Sequence, residues 1–103
     1  MTKNEYLKAG LKKFAAKDYQ GAILELRQAI ELDPKFDLAY NALAESYNKL
    51  GKIDEAIEMA KRYVESNPED PIAHTALSRL YVQKGMIPEA ERELALSNQL
   101  SNP

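Results

Sequence analysis

Cysteine and tryptophan are absent from this chain of 103 residues, and histidine occurs once. Without cysteine the chain can form neither a disulfide nor a thiolate zinc site, and a single histidine supplies neither a histidine-based zinc set nor a base paired with a nucleophile. The four glycines stand alone at Gly10, Gly21, Gly51 and Gly85, so there is no glycine-rich phosphate loop. We therefore expect no enzymatic activity, no metal and no cofactor.

An excess of one charge and long hydrophobic runs are lacking as well. The chain has 14 Lys and Arg against 16 Asp and Glu, so no global field draws in nucleic acid or an anionic membrane. The first residues, MTKNEYLKAG, are polar and helical in pattern, which excludes a signal peptide or a membrane span there. We expect a soluble chain without a membrane span. Its compartment stays unknown, with the cytoplasm favoured.

What the chain does contain is a repeat of 34 residues. Two sets of residues recur at this interval: Ala22, Ala56 and Ala90, and Tyr6, Tyr40 and His74. A period of this length predicts stacked helical hairpins, of which about three are needed to cover one another's cores. Within each copy the apolar residues recur at helical spacing in two segments. The predicted helices lie near residues 3–16, 19–32, 37–50, 53–66, 71–84 and 87–100.

The second copy contains an ordered set of residues: Tyr40, Leu43-Ala44, Tyr47, Gly51, Ala56 and Pro68. This order resembles the signature of the tetratricopeptide repeat family, and the likeness extends over nearly the whole chain. The resemblance implies an all-α fold of three stacked helix-turn-helix repeats that form a short right-handed α-solenoid. The repeats would span about 3–36, 37–70 and 71–103 of a single domain, 1–103. The first copy departs from the signature with Lys17 in place of the turn glycine.

Small and turn-forming residues predict the geometry of each hairpin. Gly51 and Gly85 are expected in a left-handed conformation where the first helix of a copy ends, while Asp18 and Asp70 are expected as N-caps. Small side chains recur where the two helices of a hairpin should cross: Gly10, Ala44 and Ser78, and Ala22, Ala56 and Ala90.

The titratable residues indicate packing and surface charge. His74 is equivalent to Tyr6 and Tyr40, which predicts a packing role at a helix contact because no oriented catalytic partner is visible. The carboxylates of the later second helices are interpreted as surface charge, most of it solvated: Glu55, Glu58, Glu65, Glu89, Glu91 and Glu93.

The two ends of the array are polar where the middle is apolar. Lys13 stands at the position of Tyr47, and Glu91 and Asn98 stand at the positions of Ile57 and Val64. Polar outer faces are typical of terminal repeats, so we expect a complete array of three repeats that is a monomer. Apolar residues on the last helix keep homo-oligomerisation open as an alternative: Leu94, Leu96 and Leu100.

The first helix carries the main local charge asymmetry. Its lysines are Lys3, Lys8, Lys12, Lys13 and Lys17, against Glu5 alone. The pairs Lys8–Lys12 and Lys13–Lys17 would form two stripes, which leaves phosphate or RNA binding as a weak alternative. We favour a solvated end helix and expect no nucleic acid, because nucleic-acid binders carry such a bias over a whole domain.

The resemblance also implies where a ligand would lie, since the first helices of the family line a concave groove. The groove positions are Asn4, Leu7, Lys8, Leu11 and Phe14; Leu38, Asn41, Ala42, Glu45, Asn48 and Lys49; and Ile72, Thr75, Ala76, Arg79, Val82 and Gln83. We expect a polar centre and an apolar rim. The predicted function is a non-enzymatic scaffold or adaptor that binds a peptide or helix of another protein.

One sub-type of the family binds acidic chaperone tails through a clamp of lysine, asparagine and arginine. The places that this clamp requires carry apolar residues here: Leu7, Leu11, Ala42, Ile72 and Ala76. Recognition of that kind is therefore not expected.

Overall fold

The computed structural model of the chain describes residues 1–102, and these residues form helices and connecting turns without a strand. The helices are α1 (Lys3–Ala15), α2 (Tyr19–Leu32), α3 (Asp37–Lys49), α4 (Ile53–Ser66), α5 (Pro71–Lys84) and α6 (Ile87–Ser101). They pack as hairpins, α1 with α2, α3 with α4 and α5 with α6, and the hairpins stack through α2 on α3 and α4 on α5. The predicted fold class is confirmed, and each helix boundary lies within one residue of its prediction.

Side chains at the helix N-termini satisfy backbone N–H groups that have no partner inside the helix. Asp18 accepts a hydrogen bond at the start of α2 at 3.0 Å, and Asp70 does so at the start of α5 at 2.9 Å, as the sequence predicted. Thr2 and Glu5 form a reciprocal capping box at the start of α1. The spacing of a threonine and a glutamate three residues later is the usual signature of that motif, and it fixes where the first hairpin begins.

The ends of the first helices share a left-handed turn. Gly51 and Gly85 have φ values of 76° and 85°, the conformation that the sequence predicted for them. Lys17 takes the same role in the first hairpin with a φ of 64°. A side chain is disfavoured in this conformation because its Cβ approaches the backbone, so Lys17 marks a strained turn.

The hairpin crossings are closed by small residues. Ala22 and Ala56 are fully buried and Ala90 nearly so. A Cβ atom added to Gly10 would lie 2.6 Å from Leu26 Cγ, which is far inside van der Waals contact. The main core cluster draws buried residues from α2 to α6, with Tyr6, Leu7 and Phe14 of α1 packed against it. A smaller cluster joins α3, α4 and α5 through Tyr40, Tyr63 and Ala73.

Over residues 1–102, none of the helices is both long enough and apolar enough to cross a lipid bilayer.

Candidate functional site

An open cleft lies between α1 and α3, on the surface formed by the first helices. Its volume is about 260 Å³. It is lined by Leu7, Leu11, Phe14, Leu38, Asn41, Ala42 and Glu45. Two of its leucines are well exposed, Leu11 at 46% and Leu38 at 59% of their possible area. Exposure of large apolar side chains around a concavity is typical of a binding surface.

Helical periodicity places these residues on two facing stripes. On α1 the spacing from Leu7 to Leu11 and Phe14 is four and then three residues, so the three side chains lie on one helix face. The rings of Phe14 and Tyr19 form an edge-to-face pair, with centroids 5.2 Å apart and planes at 72°. This edge-to-face contact fixes one wall of the cleft from the second helix of the same hairpin.

An ion pair occupies the corresponding space between α3 and α5. Arg79 Nη2 donates to Glu45 Oε1 at 3.2 Å, with the carboxylate about one third exposed. Arg79 stands at the position that Leu11 has in the first hairpin, 68 residues earlier. The first-helix surface is therefore apolar and open on one side of α3 and bridged by charge on the other.

The cleft gathers seven of the seventeen groove positions of the sequence prediction and leaves ten outside it. The seven are Leu7, Leu11, Phe14, Leu38, Asn41, Ala42 and Glu45. Of the others, Asn4, Lys8, Lys49, Ile72, Arg79, Val82 and Gln83 are exposed, Asn48 and Thr75 are half-buried, and Ala76 is buried. The expectation of a polar centre with an apolar rim needs correction, since between α1 and α3 the lining is mostly apolar.

The hydroxyl of Thr75 is engaged inside the third hairpin. Thr75 Oγ1 lies 3.0 Å from the carbonyl oxygen of Pro71 and 2.7 Å from Ser97 Oγ, and Ser97 Oγ also donates to Pro71 at 3.0 Å. The sequence prediction placed Thr75 among the groove positions. Its hydroxyl, however, already bonds to α6 and to its own helix, so it contributes no hydrogen bond to a ligand in the groove.

His74 is buried at the contact of α5 with α6, in agreement with its predicted packing role. Its Nδ1 lies 2.7 Å from Glu93 Oε2, and its Nε2 lies 2.7 Å from the carbonyl oxygen of Pro68. Glu93 was expected to be solvated surface charge, and that expectation is wrong. No pattern in the sequence indicates this pairing, since it depends on how α6 is rotated against α5.

The lysine stripes predicted on α1 are also revised. Lys17 lies beyond the end of the helix, so it does not extend a stripe from Lys13. Lys3 pairs with Asp33 at 2.6 Å, and Lys13 lies 3.7 Å from Asp18 Oδ2. Two of the five lysines are thus paired with carboxylates of the same chain, which weakens the argument for phosphate binding.

Within residues 1–102 no group of three or more histidine, cysteine or carboxylate side chains is arranged to hold a metal ion.

Comparison with known structures places this architecture among many similar chains. MamA superposes with a TM-score of 0.91 at 26% identity, over 97% of this chain and 58% of that one. The second TPR of Spaghetti (RPAP3), solved with the HSP90 peptide SRMEEVD, gives 0.87 at 19% identity, over 97% and 93% of the two chains. The translocator chaperone SycD of Yersinia enterocolitica gives 0.88 at 20% identity, over 97% and 76%. The latter two likenesses concern the fold alone.

Sequence comparison points to the same group. The small glutamine-rich tetratricopeptide repeat-containing protein 2 of Mycosarcoma maydis is 40% identical over 63 residues, which are 60% of this chain and 18% of that protein. The chain thus spans less than a fifth of the length of this curated relative. A family model described as tetratricopeptide repeat matches residues 13–80 and 51–100. On this match, and on six helices that pack as three stacked hairpins, the chain belongs to the tetratricopeptide repeat family.

Proposed function

We propose that this chain is a non-enzymatic interaction module that binds a short segment of another protein on the surface of its first helices. The observation that carries the proposal is the open apolar cleft between α1 and α3. Membership of the family supports it, and so does a solved relative of the same fold that holds the peptide SRMEEVD. The occupant of this cleft would be an apolar side chain of the partner segment.

The size and lining of the cleft support a side chain as its occupant. Its volume of about 260 Å³ lies below the roughly 300–1,000 Å³ of most small-molecule sites. Leu11, Leu38 and Phe14 offer apolar contact, while the amide of Asn41 can donate and accept hydrogen bonds. An extended segment could therefore insert one aliphatic or aromatic side chain and bond its backbone to Asn41.

The remaining groove residues would extend the contact beyond the cleft. On α1 these are Asn4 and Lys8, and on α3 Asn48. On α5 the exposed Ile72, Val82 and Gln83 would meet the far end of the segment, with Arg79 between them. Such rim contacts set register and specificity, whereas the buried anchor supplies most of the affinity.

A selection from a phage-displayed random peptide library would test the proposal with a matched pair of variants. Leu38 in the cleft and Leu24 on α2 are both exposed leucines, at 59% and 69%. For peptides selected on the wild-type chain, we expect Leu38→Asp to weaken binding about tenfold or more, which is about 1.4 kcal/mol. Leu24→Asp should leave binding unchanged. Loss of binding with Leu24→Asp but not with Leu38→Asp would place the site on the second helices and reject the proposal.

Self-association through α6 is a second candidate function. Leu94 is 47% exposed, although the equivalent Leu26 and Ala60 of the first two hairpins are fully buried. Sedimentation at micromolar concentration separates the two candidates. We expect a monomer, whereas a dimer that Leu94→Asp abolishes would favour self-association.

A further inference from the structure

Both ring nitrogens of His74 face hydrogen-bond acceptors. The side chain is buried, with a relative exposure of 5%. Nδ1 lies 2.7 Å from the carboxylate oxygen Oε2 of Glu93 on α6, and Nε2 lies 2.7 Å from the backbone carbonyl oxygen of Pro68 in the turn before α5. These two contacts join three segments of the chain through one imidazole ring.

A neutral imidazole can satisfy only one of these two acceptors. It carries a hydrogen on one nitrogen, and the other nitrogen would then direct its lone pair at an oxygen. The carbonyl of Pro68 cannot donate, so Nε2 must carry a hydrogen to bond to it, and Nδ1 then faces the carboxylate oxygen of Glu93. The geometry therefore favours a doubly protonated imidazolium, which donates to both acceptors, when α6 is packed on α5.

The charged groups around the ring favour the same state. Burial alone lowers the pKa of His74, but the hydrogen bonds to Glu93 and Pro68 and the negative charges of Glu93 and Asp70 outweigh it, so the pKa lies above its ordinary value. From α4, Tyr63 donates its hydroxyl proton to Asp70 Oδ2 at 2.8 Å, so this carboxylate is held in place by the second hairpin.

The docking of α6 depends on polar contacts more than that of α4 does. Only Ala90 and Ser97 are buried on α6, and the helix packs on α5. The buried residues of α4 are larger and more numerous: Ala56, Ile57, Met59, Ala60 and Tyr63. Besides the His74–Glu93 pair, α6 is held by Ser78 Oγ, which donates to the carbonyl of Ala90 at 2.8 Å, and by the Ser97–Pro71 hydrogen bond.

We propose that the third hairpin is a proton-sensitive element, in which the imidazolium of His74 holds α6 on α5 and its deprotonation releases the helix. The docked hairpin binds the proton more tightly than the undocked one, so the stabilisation is fully present at low pH. It is lost as the pH rises through the pKa of the docked state. The element is independent of the cleft between α1 and α3, so either proposal can fail without the other.

Because His74 is the only histidine, its imidazole signals can be followed without ambiguity in a proton NMR titration. We expect its pKa in the intact chain to exceed the ordinary value of about 6.5. In parallel, amide hydrogen exchange, corrected for its intrinsic pH dependence, reports the opening of each helix. As the pH rises, the equilibrium constant for opening of α6 should increase in total by roughly tenfold for each pH unit by which the pKa of His74 in the docked hairpin exceeds its pKa when α6 is released. The amides of α2 and α4 should stay protected.

The second hairpin supplies a matched control. Its residues equivalent to His74 and Glu93 are Tyr40 and Met59, so the double variant His74→Tyr with Glu93→Met installs a pair that already occurs in this fold. We expect that variant to lose the pH dependence of α6 exchange, and Glu93→Gln, which keeps an acceptor but removes the charge, to lower the pKa of His74. A pKa of His74 at or below the ordinary value would overturn the proposal. So would α6 exchange that is independent of pH in the wild-type chain, or a double variant with unchanged pH dependence.

Discussion

Arg79 and Glu45 occupy the same position in consecutive hairpins, 34 residues apart, and Arg79 Nη2 donates to Glu45 Oε1 at 3.2 Å. The first hairpin has Leu11 at this position, so the row across the three first helices reads leucine, glutamate, arginine. The residue type at this one position thus determines what lies between each pair of neighbouring first helices. The leucine leaves the α1–α3 cleft open and apolar, whereas the ion pair bridges α3 and α5.

Removal of the ion pair should affect binding more than stability. Both groups are partly exposed, and exposed pairs contribute only about 0.2–1 kcal/mol, so Arg79→Ala should lower the free energy of unfolding by no more than that. Arg79→Glu places two like charges side by side and should weaken the binding of acidic peptides more than that of neutral ones. Urea unfolding measures the change in stability, and peptide titrations measure the change in affinity. An equal loss of affinity for acidic and neutral peptides would contradict a role for Arg79 in specificity.

The strained turn at Lys17 offers a stabilising substitution. Because its φ of 64° is disfavoured for a side chain, Lys17→Gly should raise the free energy of unfolding by about 1 kcal/mol. Ala15→Gly is the control, since Ala15 lies in the last turn of α1, where glycine should cost about 0.5–1 kcal/mol. Chemical denaturation of both variants checks the sign. Destabilisation by Lys17→Gly would show that the turn is not strained.

Gly10 and Leu26 should be energetically coupled. A methyl group at Gly10 would lie 2.6 Å from Leu26 Cγ, so Gly10→Ala should destabilise the chain by about 1–3 kcal/mol through overpacking. In the background of Leu26→Ala the clashing atoms are gone, and the same substitution should cost much less. A double-mutant cycle measures this coupling. Additive effects would mean that the crossing of α1 and α2 adjusts freely.

Tyr63 should resist ionisation in the folded chain. Burial, the hydrogen bond to Asp70 and the negative charges of Asp70 and Asp37 raise the pKa of its hydroxyl. Folding thus favours the neutral hydroxyl. The contribution of Tyr63 to the free energy of unfolding is therefore fully present below the unfolded pKa of about 10 and decreases as the pH rises above it. Ultraviolet titration should show an ionisation step that accompanies unfolding, and Tyr63→Phe should remove one tyrosine from that step. A Tyr63→Phe chain that titrates like the wild type would contradict the assignment.

The helices could be predicted from the sequence because their signals are local and repeated three times. The spacing of apolar residues, the capping residues Asp18 and Asp70, and the glycines at 51 and 85 all act within a few residues of where they stand. The predicted helices therefore agree with the observed ones to within one residue. The turn at Lys17 followed the same geometry, even though its residue type does not favour it.

Contacts between helices were harder to predict. Glu93 meets His74 and Thr75 meets Ser97 because α6 is rotated so that these side chains face α5, and a one-dimensional pattern does not specify that rotation. The cleft was predicted only in part for the same reason. Its seven lining residues were all assigned to the groove, but their grouping between α1 and α3 follows from the spacing of the stacked hairpins.

We propose that the cleft between α1 and α3 holds an apolar side chain of a partner segment. Intermolecular nuclear Overhauser effects between a library-selected peptide and the methyl groups of the chain would locate that side chain. We expect contacts from one aliphatic or aromatic side chain of the peptide to Leu7, Leu11 and Leu38, with Leu24 and Leu94 unaffected. Contacts confined to Leu24 on α2 or to Leu94 and Leu96 on α6 would contradict it.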